Sequence, residues 1–462
     1  MAELALLLAA AVAAVAGGLV LRALRERPQR GVLVLAALAP FNGLLPLVPG
    51  GSSAAYWKEA LLVLTLLATL VAPRRSLRGV DLPAPSLPWW PAIAVLTVFG
   101  SVSALVTAGL EGLFAIKITF FYLLILLVLW RAPFTARDRD HLVSIVMLLG
   151  PVTALVGLWQ QFVGPAYLVS LGYSYNDQVR TAGGLLRSFS TFNQPFPFGL
   201  YVMTSLLVGG AVALAEPRRL RNALFLCAVP VMVVGMGVSI VRASYLGLIV
   251  GLLWLGIYRY RTIVKALATA VVVAPLAVLL TSPRLLAPLV SSSSLDQRGA
   301  GWSSIVSDVL NHPFGLGLGA SGSAAARIAL ANGRAEATTY QPDNYYVKMA
   351  LELGPVGLWL FILVIISAAV STLRAARVLR GRDSALALGV SASVVAAAAA
   401  SFVATYLEIF PLDVYFWLLL GVVGCSVSQH AAECRANMRR ASASARSPSD
   451  PAEVVSRPTP VS

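Results

Sequence analysis

Cysteine and histidine are scarce, with three of each in 462 residues. Cys227, Cys425 and Cys434 have no paired spacing, and His141, His312 and His430 are equally scattered. A disulfide framework, a thiolate metal site and a catalytic metal held by histidine are therefore all disfavoured, and no cofactor is expected. Charge is also sparse: 12% of residues are charged against 58% hydrophobic, and the mean hydropathy is +0.80. That balance excludes an ordinary soluble globule, which would lack polar surface to face water. Acids are the minority sign, 20 against 35 basic residues, for a net charge of +15. The excess does not mark a nucleic-acid surface, because the basic residues fall in short clusters between apolar stretches rather than along one face.

What the chain does have is a succession of long apolar runs. Seven basic clusters divide them, at 22–30, 74–78, 131–139, 217–221, 259–265, 374–382 and 433–440. If each cluster is cytoplasmic, two spans of about 20 residues must lie between successive clusters. The runs satisfy this, with spans predicted at 3–21, 31–48, 57–73, 89–108, 112–130, 141–163, 195–215, 222–240, 241–258, 264–281, 344–372, 384–408 and 411–429. The expectation is an all-α, polytopic membrane helical bundle of about 12–13 transmembrane helices, with the N-terminus outside and the C-terminus cytoplasmic. The first run carries Glu3 and no basic residue ahead of it, so it reads as a retained helix rather than a signal peptide. Trp57, Trp89 and Trp90 read as interfacial anchors.

Residues 1–434 form the predicted transmembrane domain, and the Ser-, Ala-, Pro- and Arg-rich stretch 435–462 reads as a disordered cytoplasmic tail. The outer loops are long, at 164–194 and 282–343. Long loops in a compact protein are usually functional or disordered. The large one, 282–343, is not disorder-like. Trp302 precedes Ile305, Val306, Val309 and Leu310 at helical spacing, then come HPFGLGLG and the Ala-rich SAAARIALANG, which predicts short helices lying on the outer surface. GLGLG reads as a tight backbone turn, since no strand precedes it to make a dinucleotide fingerprint.

The informative charges are those that orientation does not require. Asp343, Asn344 and Lys348 cluster at the mouth of a predicted span, where Gly354 and Gly357 thin the helix. Arg180, Arg187 and Arg242 fall on the outer side or at a span's edge. An arginine inside a span costs about 2.5–3.5 kcal/mol on insertion scales unless it reaches an interface or an anion. Because a guanidinium donates two parallel hydrogen bonds and stays charged, two of these near one surface would make a phosphate-type anion site. The competing reading is that Arg187 and Arg242 reach lipid headgroups or pair with acids such as Asp177, and that Glu352 and Glu408 partner the arginines. Lys117, mid-span, is equally a structural partner for Glu59 or part of a substrate path.

Four segments resemble the superfamily of O-antigen ligases and O-antigen polymerases. RSFSTFNQPFPFGLY (187–201) resembles that family's run of Arg, Thr-Phe and Asn-Pro before a helix, and SIVRASYLGL (239–248) its Arg among small residues. RGAGWSSIVSDVLNHPFGLGLG (298–319) resembles the large-loop pattern of Arg, Trp and His-Pro-x-x-Gly-x-Gly. DNYYVKMALELGPVG (343–357) resembles the ligase motif ending in Gly-x-x-Gly, with Asp343 where the ligases carry histidine. The resemblance implies a bacterial inner-membrane glycosyltransferase, metal-independent and inverting, acting at the extracytoplasmic face. Its implied donor is a polyprenyl-diphosphate-linked glycan, its acceptor a glycan or glycolipid, and its surroundings membrane lipid. It implies catalytic roles for Asp343, Arg187 and Arg242, and substrate contacts for Arg298, Asn344, Lys348, Trp302, Arg180 and Asn193. The rival class is a transporter, a lipid-linked oligosaccharide flippase or small-anion carrier, for which the outer arginines would line a permeation route.

Overall fold

The computed structural model describes residues 17–48, 55–71, 82–182, 184–262, 309–331 and 342–446. Helices dominate: α1 (Gln29–Leu38), continued by a 3-10 stretch Ala39–Leu47, then α2 (Trp57–Val71), α3 (Trp90–Ala108), α4 (Gly112–Phe120), α5 (Leu124–Arg131) and α6 (Ala136–Ser170). After the hairpin β1 (Arg180–Ala182) and β2 (Leu185–Arg187) come α7 (Pro195–Ala215), α8 (Leu220–Gly237), α9 (Arg242–Tyr258), α10 (Gly322–Ala331), α11 (Tyr345–Val378), α12 (Gly381–Ala400) and α13 (Leu412–Arg446). The two strands were not expected from the sequence.

Eight stretches of the described residues are long and apolar enough to cross a membrane, and α9 is a shorter apolar helix of 17 residues. One of the eight, Trp90–Arg131, spans 42 residues. That is about 60 Å if straight, roughly twice a bilayer core. It does not run straight. Gly109 adopts φ 57° and ψ −137°, and the chain reverses there so that α4 packs beside α3. The two spans predicted at 89–108 and 112–130 are thus both present. The predicted spans 3–21 and 264–281 lie outside the described residues.

The bundle is organised around α7 and α12, whose apolar windows are 83% and 78% buried while most others are under half. Helix α12 is rich in Ala and Ser, so its backbone lies close to α7, α9 and α11. In lipid, where apolar side chains gain nothing by leaving one hydrocarbon for another, such small-residue contact is what holds helices together. The outer ring keeps large apolar side chains exposed, among them Phe162, Val106 and Trp359, as lipid-facing surface. Trp89 is not an interfacial anchor. It is buried and stacks at 5.7 Å on Trp417, and Trp90 beside it is the exposed residue.

The two ends of the bundle differ. At one end a capping box between Thr135 and Asp138 starts α6. There Asp140 accepts from Arg219, Arg221 and Arg382 at 3.0, 2.9 and 2.9 Å, Arg382 also reaches Glu216, and Arg139 pairs with Asp383 at 2.8 Å. This end carries the basic clusters 131–139, 217–221 and 374–382. The helix α13 continues to Arg446, so residues 435–446, read from the sequence as the start of an irregular tail, are helical. Ala, Arg, Glu and Met are good helix formers and carry the last turns past the apolar run.

Candidate functional site

The opposite end gathers the polar side chains that orientation left unexplained. The segment 186–191 is clamped there by consecutive glutamines of α6. Gln160 accepts from the amides of Phe189 and Ser190 and donates to Ser190 O, while Gln161 donates to Leu186 O and Ser188 Oγ. On its other side Ser188 N–H donates to Val238 O, at the turn between α8 and α9. Ser190 (φ 57°) and Ile240 (φ 51°) both sit in the left-handed region. A β-branched residue there is costly, and such strain persists where surrounding structure enforces it and commonly marks functional segments.

This clamping brings three arginines together. In the hairpin Arg180 and Arg187 are direct register partners. Like charges directly opposite each other destabilise a strand pair. Arg180 Nε is held by the carbonyls of Asn176 and Asp177, and the Arg187 guanidinium lies 5.4 Å from the Phe196 ring, with a buried Nε that has no hydrogen-bond partner. Burial pulls the Arg187 guanidinium below its ordinary value, the charges of Arg180 and Arg242 act in the same direction, and Tyr245 opposes them. Arg242 is the first residue of α9. A half-buried Arg187 guanidinium beside two like charges is an arrangement that an anion would relieve. Asp177 offers its backbone carbonyl to Arg180.

From Arg187 the chain runs on to Asn193, Gln194 and Pro197, which line a cavity of about 470 Å³. Its other walls come from Asn42 of the 3-10 stretch, Lys58 and Glu59 of α2, Lys117 of α4, Arg327 of α10, and Glu408 and Asp413 at the entry to α13. The volume falls in the range of about 300–1,000 Å³ usual for small-molecule sites. Lys117 pairs with Glu59 at 2.8 Å, so the structural alternative for Lys117 holds, on a cavity wall. Lys58 Nζ sits 4.0 Å from the centre of the Phe410 ring.

Behind the cavity α11 is broken. Gly354 has φ 66° and ψ −172°, and Pro355 follows. The break frees carbonyls that the loop 312–319 takes up: Leu316 N–H donates to Leu351 O and Gly317 N–H to Glu352 O, both at 2.9 Å. HPFGLGLG is therefore a backbone plug for an unwound helix, a role beyond the tight turn read from the sequence. The plug also buries a charge cluster. Lys348 is 1% exposed and donates to Glu408 at 2.7 Å, with Glu352 at 3.4 Å, and Ser321 donates to Glu352 from its amide and hydroxyl at 3.0 and 2.7 Å.

Measured against the sequence, Arg180, Arg187 and Arg242 converge, and Asn193 reaches the cavity. Asn344 caps α11 by accepting from Tyr346 and Val347 amides. Lys348 is locked in the buried cluster, and Glu352 and Glu408 serve it rather than the arginines. Asp343 is exposed, directly after the cavity residue Pro342. Arg298 and Trp302 lie outside the described residues. Sequence reasoning passed over Asp413, Gln194 and Asn42. Their only signal is position: each sits within a few residues of the outer end of a predicted span.

Residues 223–362 match the family described as O-antigen ligase. The matched stretch covers α8, α9, α10 and the broken half of α11. No curated protein matches the chain.

Proposed function

We propose, from an integral-membrane chain whose residues 223–362 match the O-antigen ligase family, a glycosyltransferase that moves a glycan from a polyprenyl diphosphate onto an acceptor hydroxyl. The donor diphosphate lies against Arg180, Arg187 and Arg242, with the prenyl tail in lipid beside the bundle. Arg298 and Trp302 are assigned to the donor with them, and Asn193 leads from the diphosphate to the cavity. The acceptor is a second lipid-linked glycan in a polymerase, or a different glycolipid in a ligase. The reaction faces the extracytoplasmic side, which is where the positive-inside rule sets the end opposite the Asp140 network.

The observation that carries this reading is the like-charge register pair of Arg180 and Arg187, with a buried, unpartnered guanidinium nitrogen. As the anomeric C–O bond breaks, the diphosphate gains negative charge, and fixed guanidiniums stabilise that charge without reorganising. A single displacement inverts the anomeric centre. Asp343, at the start of α11 and next to the cavity wall, orients the acceptor.

The transporter alternative draws on the broken helix, a feature of many carriers. In carriers the freed backbone groups face a wet cavity. Here the plug 312–319 occupies them, which favours the enzyme.

The test uses purified protein in liposomes with a synthetic polyprenyl-diphosphate oligosaccharide and no nucleotide sugar. Released polyprenyl diphosphate together with a longer or transferred glycan is the expected result. Passage of the lipid-linked sugar between leaflets with no new glycosidic bond would overturn it in favour of transport.

A further inference from the structure

The cavity differs in chemistry from the arginine cluster. Three cations, Lys58, Lys117 and Arg327, face three carboxylates, Glu59, Glu408 and Asp413, so the lining does not select an anion. Two of its buried polar atoms, Glu59 Oε2 and Tyr122 Oη, have no hydrogen-bond partner. Buried polar atoms in native proteins are nearly always bonded, so two orphans on separate lining residues leave hydrogen-bonding capacity that a hydroxyl-rich ligand seated beside them would take up. The rings of Phe121, Tyr122 and Phe410 supply apolar faces beside them. Together these are the parts a neutral sugar ring needs.

The three carboxylates are not equivalent. Glu59 is taken by Lys117 at 2.8 Å, and Glu408 by Lys348 at 2.7 Å and Thr119 at 3.4 Å. Asp413 is 4% exposed, receives the Val414 amide on one oxygen at 2.8 Å, and has no ion pair among the described residues. It is the cavity carboxylate whose proton-accepting capacity is least committed. We propose that this cavity holds the acceptor sugar and that Asp413, rather than the exposed Asp343, is the catalytic residue that takes its proton.

This assignment rests on the glycosyltransferase reading. The acceptor O–H proton passes to an Asp413 carboxylate oxygen, and the acceptor oxygen uses the electron pair so released to bond the anomeric carbon. The bond from that carbon to the diphosphate breaks, and its electron pair leaves with polyprenyl diphosphate onto the arginines. Asp413 then loses the proton to water.

The experiment is the liposome transfer assay with acceptor concentration varied, on wild type, Asp413→Asn, Asp413→Glu and Ser323→Trp, with inorganic diphosphate binding measured on each. D413N is expected to lower kcat by about a hundredfold or more, the usual scale of a general base, with acceptor KM little changed. D413E should restore part of that loss. Ser323 is an exposed cavity residue, so S323W tests the pocket without touching a carboxylate. It should raise acceptor KM by about tenfold or more, the effect of displacing the ligand from a filled pocket. Diphosphate binding should be unchanged throughout. D413N with near wild-type kcat removes Asp413 from the chemistry, and S323W with unchanged KM removes the cavity, in both cases leaving the transferase reading intact. A wild-type protein that forms no glycosidic bond overturns both readings together. If D413N does not fold, the S323W and D413E results decide.

Discussion

Gly354→Ala perturbs the point where α11 breaks and the loop plugs it. At φ 66° and ψ −172° the backbone lies in a region that only glycine adopts readily, so alanine costs about 1–3 kcal/mol in strain. Its Cβ would also be driven into the carbonyl of Pro313 and to within 2.9 Å of the Gly315 nitrogen. Both are backbone atoms, so the loop must move, and the Leu316 and Gly317 hydrogen bonds are lost at about 1 kcal/mol each. The sum is roughly 3–5 kcal/mol of local stability, or a hundredfold or more in the opening equilibrium at about 1.4 kcal/mol per decade. Hydrogen exchange of the purified protein reads this directly. The amides of Leu316 and Gly317 should exchange about a hundred times faster in the variant, while those of α7 are unchanged. Unchanged exchange at both amides would refute the plug.

Arg187→Lys keeps the charge and loses the planar fork, so transfer should fall about tenfold or more at normal membrane levels; wild-type rates from this variant would remove the anion clamp. Inorganic diphosphate at about a hundred times its Kd should stabilise the wild type by about 2.7 kcal/mol, read as a raised melting midpoint, and equal stabilisation of Arg187→Ala would place the anion elsewhere. Lys348→Met strands Glu352 and Glu408 without their cation and should cost about 3–5 kcal/mol, seen as a lower melting midpoint; a midpoint unchanged from wild type would show that the cluster is not held by the ion pairs. Asp343→Asn should raise acceptor KM with kcat within about threefold, since a positioning group moves binding rather than chemistry. A large kcat loss instead would return the base role to Asp343.

The membrane architecture was legible because each apolar run must bury or solvate its backbone within the bilayer, which leaves helices as the only choice for such runs. The break at Gly354 was not, since hydropathy is blind to backbone dihedrals; the Gly354–Pro355 dipeptide was the available cue, and it recurs at Gly164–Pro165, where α6 also kinks. The arginines were visible because unneeded charge stands out in an apolar chain. Their hairpin register was not, because three-residue strands leave no periodicity. Lys348 was visible as a charge but read as a substrate contact, although Glu352 at i+4 was the signal of a buried pair. Asp413 was passed over because its significance depends on α2, α4 and α13 meeting, and nothing within its own neighbourhood of sequence announces that meeting.

The single carboxylate of Asp140 serves guanidiniums from two separate helices, from Arg219 and Arg221 at the start of α8 and from Arg382 of α12. A joint with three spokes on one hub resists splaying, so the helices that meet there behave as the closed end of a pair of tongs. Any parting of the helices is then expected at the other end, beside the loop 312–319 that plugs α11.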